Sequence, residues 1–268
     1  MVRIIHKETG AVLLEQEGTS LSKATLARTV LAYGSMQGMD FREADLRGAD
    51  LCIAELAGAC FAGADLTGAD LSGSDLSGAD LSGATMVDTR MLGVNLTNAR
   101  LNGADLERGS LKLSHGEGPS FREARLHRAD LSHTGFTRPD FTGAELGETS
   151  FLSASLQDAS LEFAQMASAI LVHTDLRNAI LRHADLTLAT LNGAFLAGAD
   201  FAGASLLDTV IAACTDLAEA KGLATVNHLG PSSIDHRTLR AAVGRLPEQF
   251  LQGLGLTTGE IRSAGNHR

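Results

Sequence analysis

The chain has 268 residues, a net charge of −10, 44% hydrophobic residues, 4% aromatic residues and no Trp. This acidic balance argues against direct binding of nucleic acid, because phosphate contacts need a basic face. No apolar run approaches the roughly 18 residues of a membrane span, the start lacks the apolar core of a signal peptide, and an odd number of cysteines fits a reducing compartment, so we expect a cytoplasmic protein.

The first segment of the chain predicts a β-hairpin followed by a helix. Apolar residues at 2–6 and 11–16 flank a turn at 7–10, as in a hairpin. Thr19 or Ser20 can cap a helix that extends to about Tyr33, with Gly34 as its C-terminal stop, and this helix would plug the open end of the structure that follows. Leu21, Leu26 and Leu31 also fit the repeat described next, so an earlier start of the repeat is the alternative. We favour the helix.

The central part of the chain repeats every five residues. From Leu21 to Ile211, 38 of the 39 positions at this spacing hold Leu, Phe, Met or Ile, and Gly116 is the exception. Two residues before a centre, 34 of the 38 positions from Ala24 to Thr209 hold Ala, Ser, Thr or Gly. This period matches neither an amphipathic helix nor a strand. A short period held over most of a chain indicates a solenoid.

Four five-residue units make a coil of 20 residues whose large and small residues both point inward. Stacked coils at strand spacing, about 4.8 Å, give a rod on the order of 45 Å long. Glycine is concentrated two residues after the centres, where corners need a positive φ. The Phe residues that share one position in the coil predict a stacked aromatic ladder; they are Phe41, Phe61, Phe121, Phe141 and Phe201.

The stretch FAGADLTGADLSGSDLSGAD at 61–80 resembles the pentapeptide-repeat proteins. The resemblance extends over about 36–211 and implies an all-β solenoid, a right-handed quadrilateral β-helix. We therefore expect three parts: a hairpin-and-helix cap at 1–35, the β-helix at 36–211, and a small helical segment at 212–268 that caps the rod or mediates association.

The repeat falters at 112–119, where two Gly, a Pro and the missing centre residue predict a loop that bulges from one wall. It resumes in register at Phe121. The loop is either a tolerated irregularity or a partner-binding loop built from Lys112, His115 and Glu117.

The segment after Ile211 predicts short helices, one at Thr238–Val243 and one that begins at Pro247. Its apolar residues are too many for a solvated tail; they are Leu246, Phe250, Leu251 and Leu254. They either cover the last coil, which we favour, or form a symmetric homodimer contact. The stretch from 222 to 256 also resembles the linker between pentapeptide repeats and a TIR-type signalling domain in some bacterial proteins. The TIR domain itself is missing from the chain.

No residue pattern indicates catalysis, a metal or a cofactor. Paired carboxylates act as acid and base in concave, partly dry sites, whereas these acids would spread over a convex rod and support turns by hydrogen bonds to the backbone. The nine His show no metal-ligand spacing, and the Gly-rich stretches lack the Lys-Ser/Thr of a phosphate-binding loop. We therefore expect a protein that is not an enzyme.

The resemblance to quinolone-resistance proteins of this family implies a decoy that binds DNA gyrase or topoisomerase IV where DNA would lie. The feature carried over is an acidic face, here assigned to Asp45, Asp50, Asp65, Asp70, Asp75 and Asp80. Residues 40–88 carry ten acids and two Arg, and residues 90–138 carry five acids and eight bases. The alternative is a scaffold or sensing module, related to TIR-linked bacterial signalling or defence proteins, that self-associates through its ends.

Overall fold

The computed structural model describes residues 1–242 and 244–265, and its main body is a stack of four-sided coils. Parallel bridges join each residue that precedes a centre to the residue 20 positions later, from the pair Thr25 and Asp45 onward. Leu66 and Leu96 are fully buried. The predicted slim tube with an apolar interior is therefore what this part of the chain forms.

We name the four sides of each coil by their centre residues. Wall 1 holds Leu21 and every twentieth residue after it, and walls 2, 3 and 4 start in the same way from Leu26, Leu31 and Met36. Walls 1 and 3 lie opposite each other, as do walls 2 and 4. Side chains next to a centre point outward and form columns that run along the rod.

Two backbone hydrogen bonds explain the five-residue period. The N–H of a centre residue donates to the coil that follows, as Leu26 does to the carbonyl of Asp45 at 2.7 Å. The N–H of the small residue turns back to the carbonyl of the preceding centre residue, as Ala64 does to Phe61 at 2.9 Å. The residue between them adopts a positive φ, whether it is Gly63 or a larger residue. The small residue is needed because it shares the interior with the centre residues.

The aromatic ladder on wall 1 is confirmed for two pairs. Phe41 and Phe61 stack with ring centroids 4.9 Å apart and planes within 3°, and Phe121 and Phe141 stack at 4.7 Å and 6°. These distances equal the spacing of strands in a sheet, so the rings follow the backbone from coil to coil.

The hairpin at the N-terminal end is confirmed, and the helix predicted after it is wrong. Strands β1 (Val2–His6) and β2 (Val12–Gln16) pair antiparallel, and β1 pairs with β3 (Gly34–Ser35) on wall 4. Residues 21–33 form ordinary coil walls. The burial of Leu21, Leu26 and Leu31 in the tube interior stabilises the repeat, and this outweighs the helical face that the same residues offer.

The loop predicted at 112–119 is also wrong. Strands β4 (His115–Glu117), β5 (Gly135–Thr137) and β6 (Ser155–Gln157) form a parallel sheet on wall 4, in register with the other coils. Gly116 lies so close to the previous coil that a Cβ there would meet the backbone of Leu96 and Thr97 at 2.6–2.7 Å. The missing centre residue therefore reflects a close approach of two coils and not a bulge.

The C-terminal segment first adds an irregular coil and then three helices. Strand β7 (Ser205–Leu206) pairs with β9 (Asn227–His228), and β8 (Val210–Ile211) pairs with β10 (Ser233–Ile234). Short 3-10 helices at Leu217–Glu219 and Leu223–Thr225 lie between them. Helices α1 (His236–Ala242), α2 (Glu248–Gly253) and α3 (Thr258–Gly265) follow. Val243, the predicted end of the first helix, lies outside the described residues.

Candidate partner-binding surfaces

The six aspartates assigned to an acidic face do not share a wall. Each directly precedes a centre residue, so its wall follows from its number. Asp45 and Asp65 lie on wall 2, and Asp50 and Asp70 lie on wall 3. Asp75 lies on wall 4 and Asp80 on wall 1. The structure therefore distributes these acids around the rod instead of concentrating them on one side.

Each of these carboxylates supports the turn that follows it. Asp50 accepts a hydrogen bond from the N–H of Cys52 at 3.0 Å, and Asp75 accepts one from the N–H of Ser77 at 3.0 Å. The other four make the same contact two residues along the chain. These Asx turns satisfy an N–H that faces away from the neighbouring coils. The expected structural role of the Asp residues is confirmed.

Arginines neutralise much of the acidic charge. Arg47 contacts Asp45 at 2.7 Å and Asp65, one coil on, at 3.7 Å. The hydrogen bond from Arg47 lowers the pKa of Asp45 to about 2. Arg100 reaches back to Asp80 at 2.8 Å. Stacking of coils thus places bases from residues 90–138 beside acids from residues 40–88, although the sequence separates them.

The three residues assigned to a binding loop lie on two walls. Lys112 is half-buried on wall 3, whereas His115 and Glu117 are exposed on wall 4. Glu117 forms an ion pair with Arg138 of the next coil. These side chains are parts of regular columns, so no separate loop presents them to a partner.

The four C-terminal residues assigned to association are buried within the chain. Their exposed fractions are 8% or less; they are Leu246, Phe250, Leu251 and Leu254. Phe250 lines the end of the tube interior together with Phe201 and Leu223. The alternative in which these residues cover the last coil is the one that the structure forms. A homodimer through them would require the cap to open.

An uncharged apolar surface lies on wall 3 toward the C-terminal end. Leu152 and Ile170 are 37% and 43% exposed, and Leu188, at the corner that leads into this wall, is 54% exposed. Val172 is half-buried in the column below Leu152. We call these four residues the wall 3 patch. The sequence on this wall at 150–153, 170–173 and 190–193 contains no Asp, Glu, Lys or Arg.

The sequence reasoning missed the wall 3 patch, although a signal for it was present. In the first coils the outward columns hold mainly Asp, Ser, Thr, Arg and Gly, whereas between 150 and 195 several of the same columns hold Leu, Ile, Val or Phe. An apolar residue in an outward column cannot reach the core. A contiguous exposed apolar surface is typical of interaction sites.

The remaining surface offers little for chemistry. A shallow groove on wall 2 contains Arg125 and His127, but Arg125 is paired with Asp105 at 2.8 Å, and His127 lies 3.6 Å from the carboxylate of Glu148. Burial raises the pKa of the Cys52 thiol to about 12, which keeps it protonated. Across residues 1–242 and 244–265, no group of His, Cys, Asp and Glu is arranged to hold a metal ion.

The helices of the described chain are all too short or too polar to traverse a bilayer.

These features define a class: a repeat solenoid with a filled interior and regular outward columns. The sequence matches the family model for pentapeptide repeats, with 8 copies over residues 17–48, 35–73, 74–112, 136–171 and 169–208. These ranges cover more than half of the chain, so it belongs to the pentapeptide-repeat family. No protein with a curated description matched the sequence significantly.

Several solved structures of the same family are similar to this chain. HetL, involved in heterocyst differentiation regulation in the cyanobacterium Nostoc sp. strain PCC 7120, is 28% identical, with 79% of this chain and 90% of HetL covered and a TM-score of 0.34. A trypsin-treated form of QnrB1, a plasmid-mediated fluoroquinolone resistance protein, is 17% identical, with 80% and 97% covered and a TM-score of 0.36. A pentapeptide repeat protein from the Arabidopsis thaliana thylakoid lumen is 27% identical, with 43% and 63% covered and a TM-score of 0.21.

Proposed function

We propose that this chain is a non-catalytic protein-binding rod that engages its partner through the wall 3 patch. The observation that supports this proposal is the exposure of Leu152, Ile170 and Leu188 on a wall without charged residues in three successive coils. Burial of apolar surface at about 25 cal/mol per Å² is the main driving force of such contacts. The partner surface must therefore be apolar and flat or shallowly concave.

The rod favours binding because its wall is rigid before the partner arrives. Backbone hydrogen bonds link each coil to the next across this region, as from Ser153 to Val172 at 2.9 Å and from His173 to Asn192 at 2.9 Å. A surface that is already ordered loses little conformational entropy on binding. The outward columns can therefore vary in sequence without disturbing the interior that holds them.

The test is capture of cellular proteins by the full-length chain, with identification of those that depend on the patch. The variant Leu152→Lys/Ile170→Lys should weaken binding of the true partner about tenfold or more, because it places charge in a desolvated contact. The matched control is Ile53→Lys, which alters an exposed apolar residue at the corner where wall 3 leads into wall 4, several coils from the patch; Ile53 is 38% exposed. A partner that binds all three proteins equally would contradict the proposal.

DNA gyrase or topoisomerase IV is the specific partner that the family resemblance suggests. The net charge of −10 supports it, because a basic DNA-binding channel attracts an acidic rod. The acids do not form one face, so the attraction would come from the whole rod, and the wall 3 patch would add the specific contact.

A supercoiling assay with purified gyrase tests this partner directly. The chain should inhibit supercoiling or protect the enzyme from a quinolone, and the patch variant should do so less well than Ile53→Lys. Unchanged supercoiling and unchanged drug sensitivity at micromolar protein would exclude gyrase. Protein binding through the patch would then still be tested by the capture experiment.

A further inference from the structure

A histidine takes the place of a core residue at the C-terminal end of the rod. The centre residues of wall 2 are Leu or Met in every coil from Leu26 to Leu206. Strand β9 continues this wall, and its pairing with β7 places His228 beside Leu206 as the next centre residue. The column of aliphatic side chains on wall 2 therefore ends in an imidazole.

The imidazole is covered by the C-terminal cap, and its nitrogens are buried without partners. The ring of Phe250 lies over it with centroids 5.4 Å apart, and a Cβ on Gly253 would overlap it, so helix α2 rests directly on the ring. Neither Nδ1 nor Nε2 of His228 has a hydrogen-bond partner in residues 1–242 and 244–265. A neutral ring is tolerated in such a place at some cost, whereas a charged ring without a partner costs far more.

Within the described chain, the elements packed against the imidazole contribute a single charged residue. Strands β7 and β9 and the 3-10 helix Leu223–Thr225 contain none. Helix α2 contains Glu248, whose carboxylate accepts the side-chain amide of Gln252 at 3.0 Å. Burial is accordingly the cause that lowers the pKa of His228.

The acids on the other walls of this last coil are engaged with backbone groups. Asp216 on wall 4 accepts the N–H of Leu196 at 2.9 Å, and Asp235 on wall 3 accepts the N–H of Ala213 at 3.0 Å. Lys221 on wall 1 and Asp208 at the corner of wall 2 are exposed. None of these contacts supplies His228 with a counter-charge.

We infer that helix α2 is a pH-sensitive latch: protonation of His228 releases it from the end of the rod and uncovers the apolar residues beneath. The imidazolium is hydrated once α2 lifts, whereas the closed cap offers it neither water nor an acceptor. Opening exposes Phe250 itself and the end of the tube that it closes, which includes Phe201 and Leu223. The device is separate from the wall 3 patch.

The direction of the pH effect follows from the two states of the cap. In the open cap the imidazole has its ordinary pKa of 6.5, and in the closed cap burial lowers the pKa. The open state therefore binds the proton more tightly. The closed cap keeps its full stability above pH 6.5 and loses stability as the pH falls below this value.

Hydrogen exchange of the full-length chain, followed by mass spectrometry at pH 7.5 and pH 5.0, tests the latch. After correction for the intrinsic pH dependence of exchange, the protection of the backbone N–H groups of α2 should fall about threefold or more. The fall cannot exceed about 30-fold, which is the limit set at pH 5.0 by a pKa of 6.5 in the open cap. The coils at 150–195 should keep their protection.

His228→Leu restores the residue type of the wall 2 column and should make the protection of α2 independent of pH. His228→Phe, which keeps a planar ring against Phe250, makes the same comparison if the leucine variant disturbs the cap. The matched control is His236→Leu, at an exposed histidine in helix α1 of the same segment, and it should respond to pH as the wild type does.

Three results would overturn the inference. The first is equal protection of α2 in the wild type at both pH values. The second is a fall of the same size in both His228 variants, which would assign it to other titrating groups. The third is an equal fall in the coils at 150–195, which would show unfolding of the whole rod instead of release of the cap.

Discussion

The coils at 41–88 and the coils at 150–195 share one interior and differ in their exteriors. In both regions the centre residues are buried to 96% or more. In the first region the outward column before each centre holds mostly Asp, and these acids cap turns; in the second it also holds Ile170, Ile180 and Phe195. The comparison teaches that the interior determines the fold, whereas the outward columns are free to carry a binding surface.

The largest expected effect tests the claim that the two interiors are equivalent. Leu66→Ala in the first region and Leu171→Ala in the second should each lower the free energy of unfolding by about 2–5 kcal/mol, because each leaves a cavity in a closely packed tube. Both side chains are fully buried. Chemical denaturation monitored by circular dichroism provides the measurement. A loss confined to one variant would show that the interiors are not equivalent.

A smaller effect is expected at the junction between the two regions, where the five-residue pattern is broken. Gly116→Leu restores the expected centre residue, yet it should destabilise the chain by about 1–3 kcal/mol, since the added side chain overpacks this site. The Cβ alone would approach the backbone of Thr97 to 2.6 Å. The matched control is Leu96→Met, a volume-conserving change on the same wall. A stabilised Gly116→Leu variant would support the loop that the sequence suggested.

The interior was predictable from the sequence, because a period of five with a small residue two positions before each centre admits few structures. The same period also accounts for residues 21–33, which form coil walls in the structure. Leu21, Leu26 and Leu31 keep the five-residue spacing there, although a residue that can cap a helix precedes them. Gly116 could not be interpreted in this way. Its meaning depends on the distance between two coils, which a one-dimensional pattern does not contain.

The surface was less predictable, because the order of charged residues in the sequence does not give their arrangement around the rod. Residues 20 apart become neighbours, so Arg100 neutralises Asp80 at 2.8 Å although the sequence places them in oppositely charged blocks. For this reason the acids that are close together in the sequence do not form one face of the rod. The wall 3 patch could have been found by sorting the outward residues by wall, a step that needs only the 20-residue coil.

Substitutions in one column of wall 3 sharpen the contrast between the two exteriors. Asp50→Ala removes the hydrogen bond to the N–H of Cys52 and should cost about 0.5–1.5 kcal/mol. Ile170→Asp, in the same column, introduces the residue that caps turns in the first region, so the chain should unfold at the same temperature or slightly higher. Thermal denaturation compares the two. Loss of stability in Ile170→Asp would indicate that Ile170 is structural.

The smallest expected effect concerns the pKa of Asp45, which the hydrogen bond from Arg47 lowers from 3.8 to about 2. Because the folded chain holds this carboxylate ionised more strongly than the unfolded chain, its contribution to stability is present above pH 4 and disappears as the pH falls toward 2. Carbon chemical shifts measured during a titration report the pKa directly. In Arg47→Gln the pKa of Asp45 should rise toward 3.8, while the pKa of Asp175, whose partner is Arg177 in a distant coil, should stay lowered.

A normal pKa for Asp45 in the wild type would contradict this prediction. It would mean that the arginines do not pair with the acids of the first region, so that the exterior of this region is a freely solvated acidic surface. Binding of gyrase could then be attributed to these acids, as the decoy hypothesis proposes, and the wall 3 patch would not be required for it.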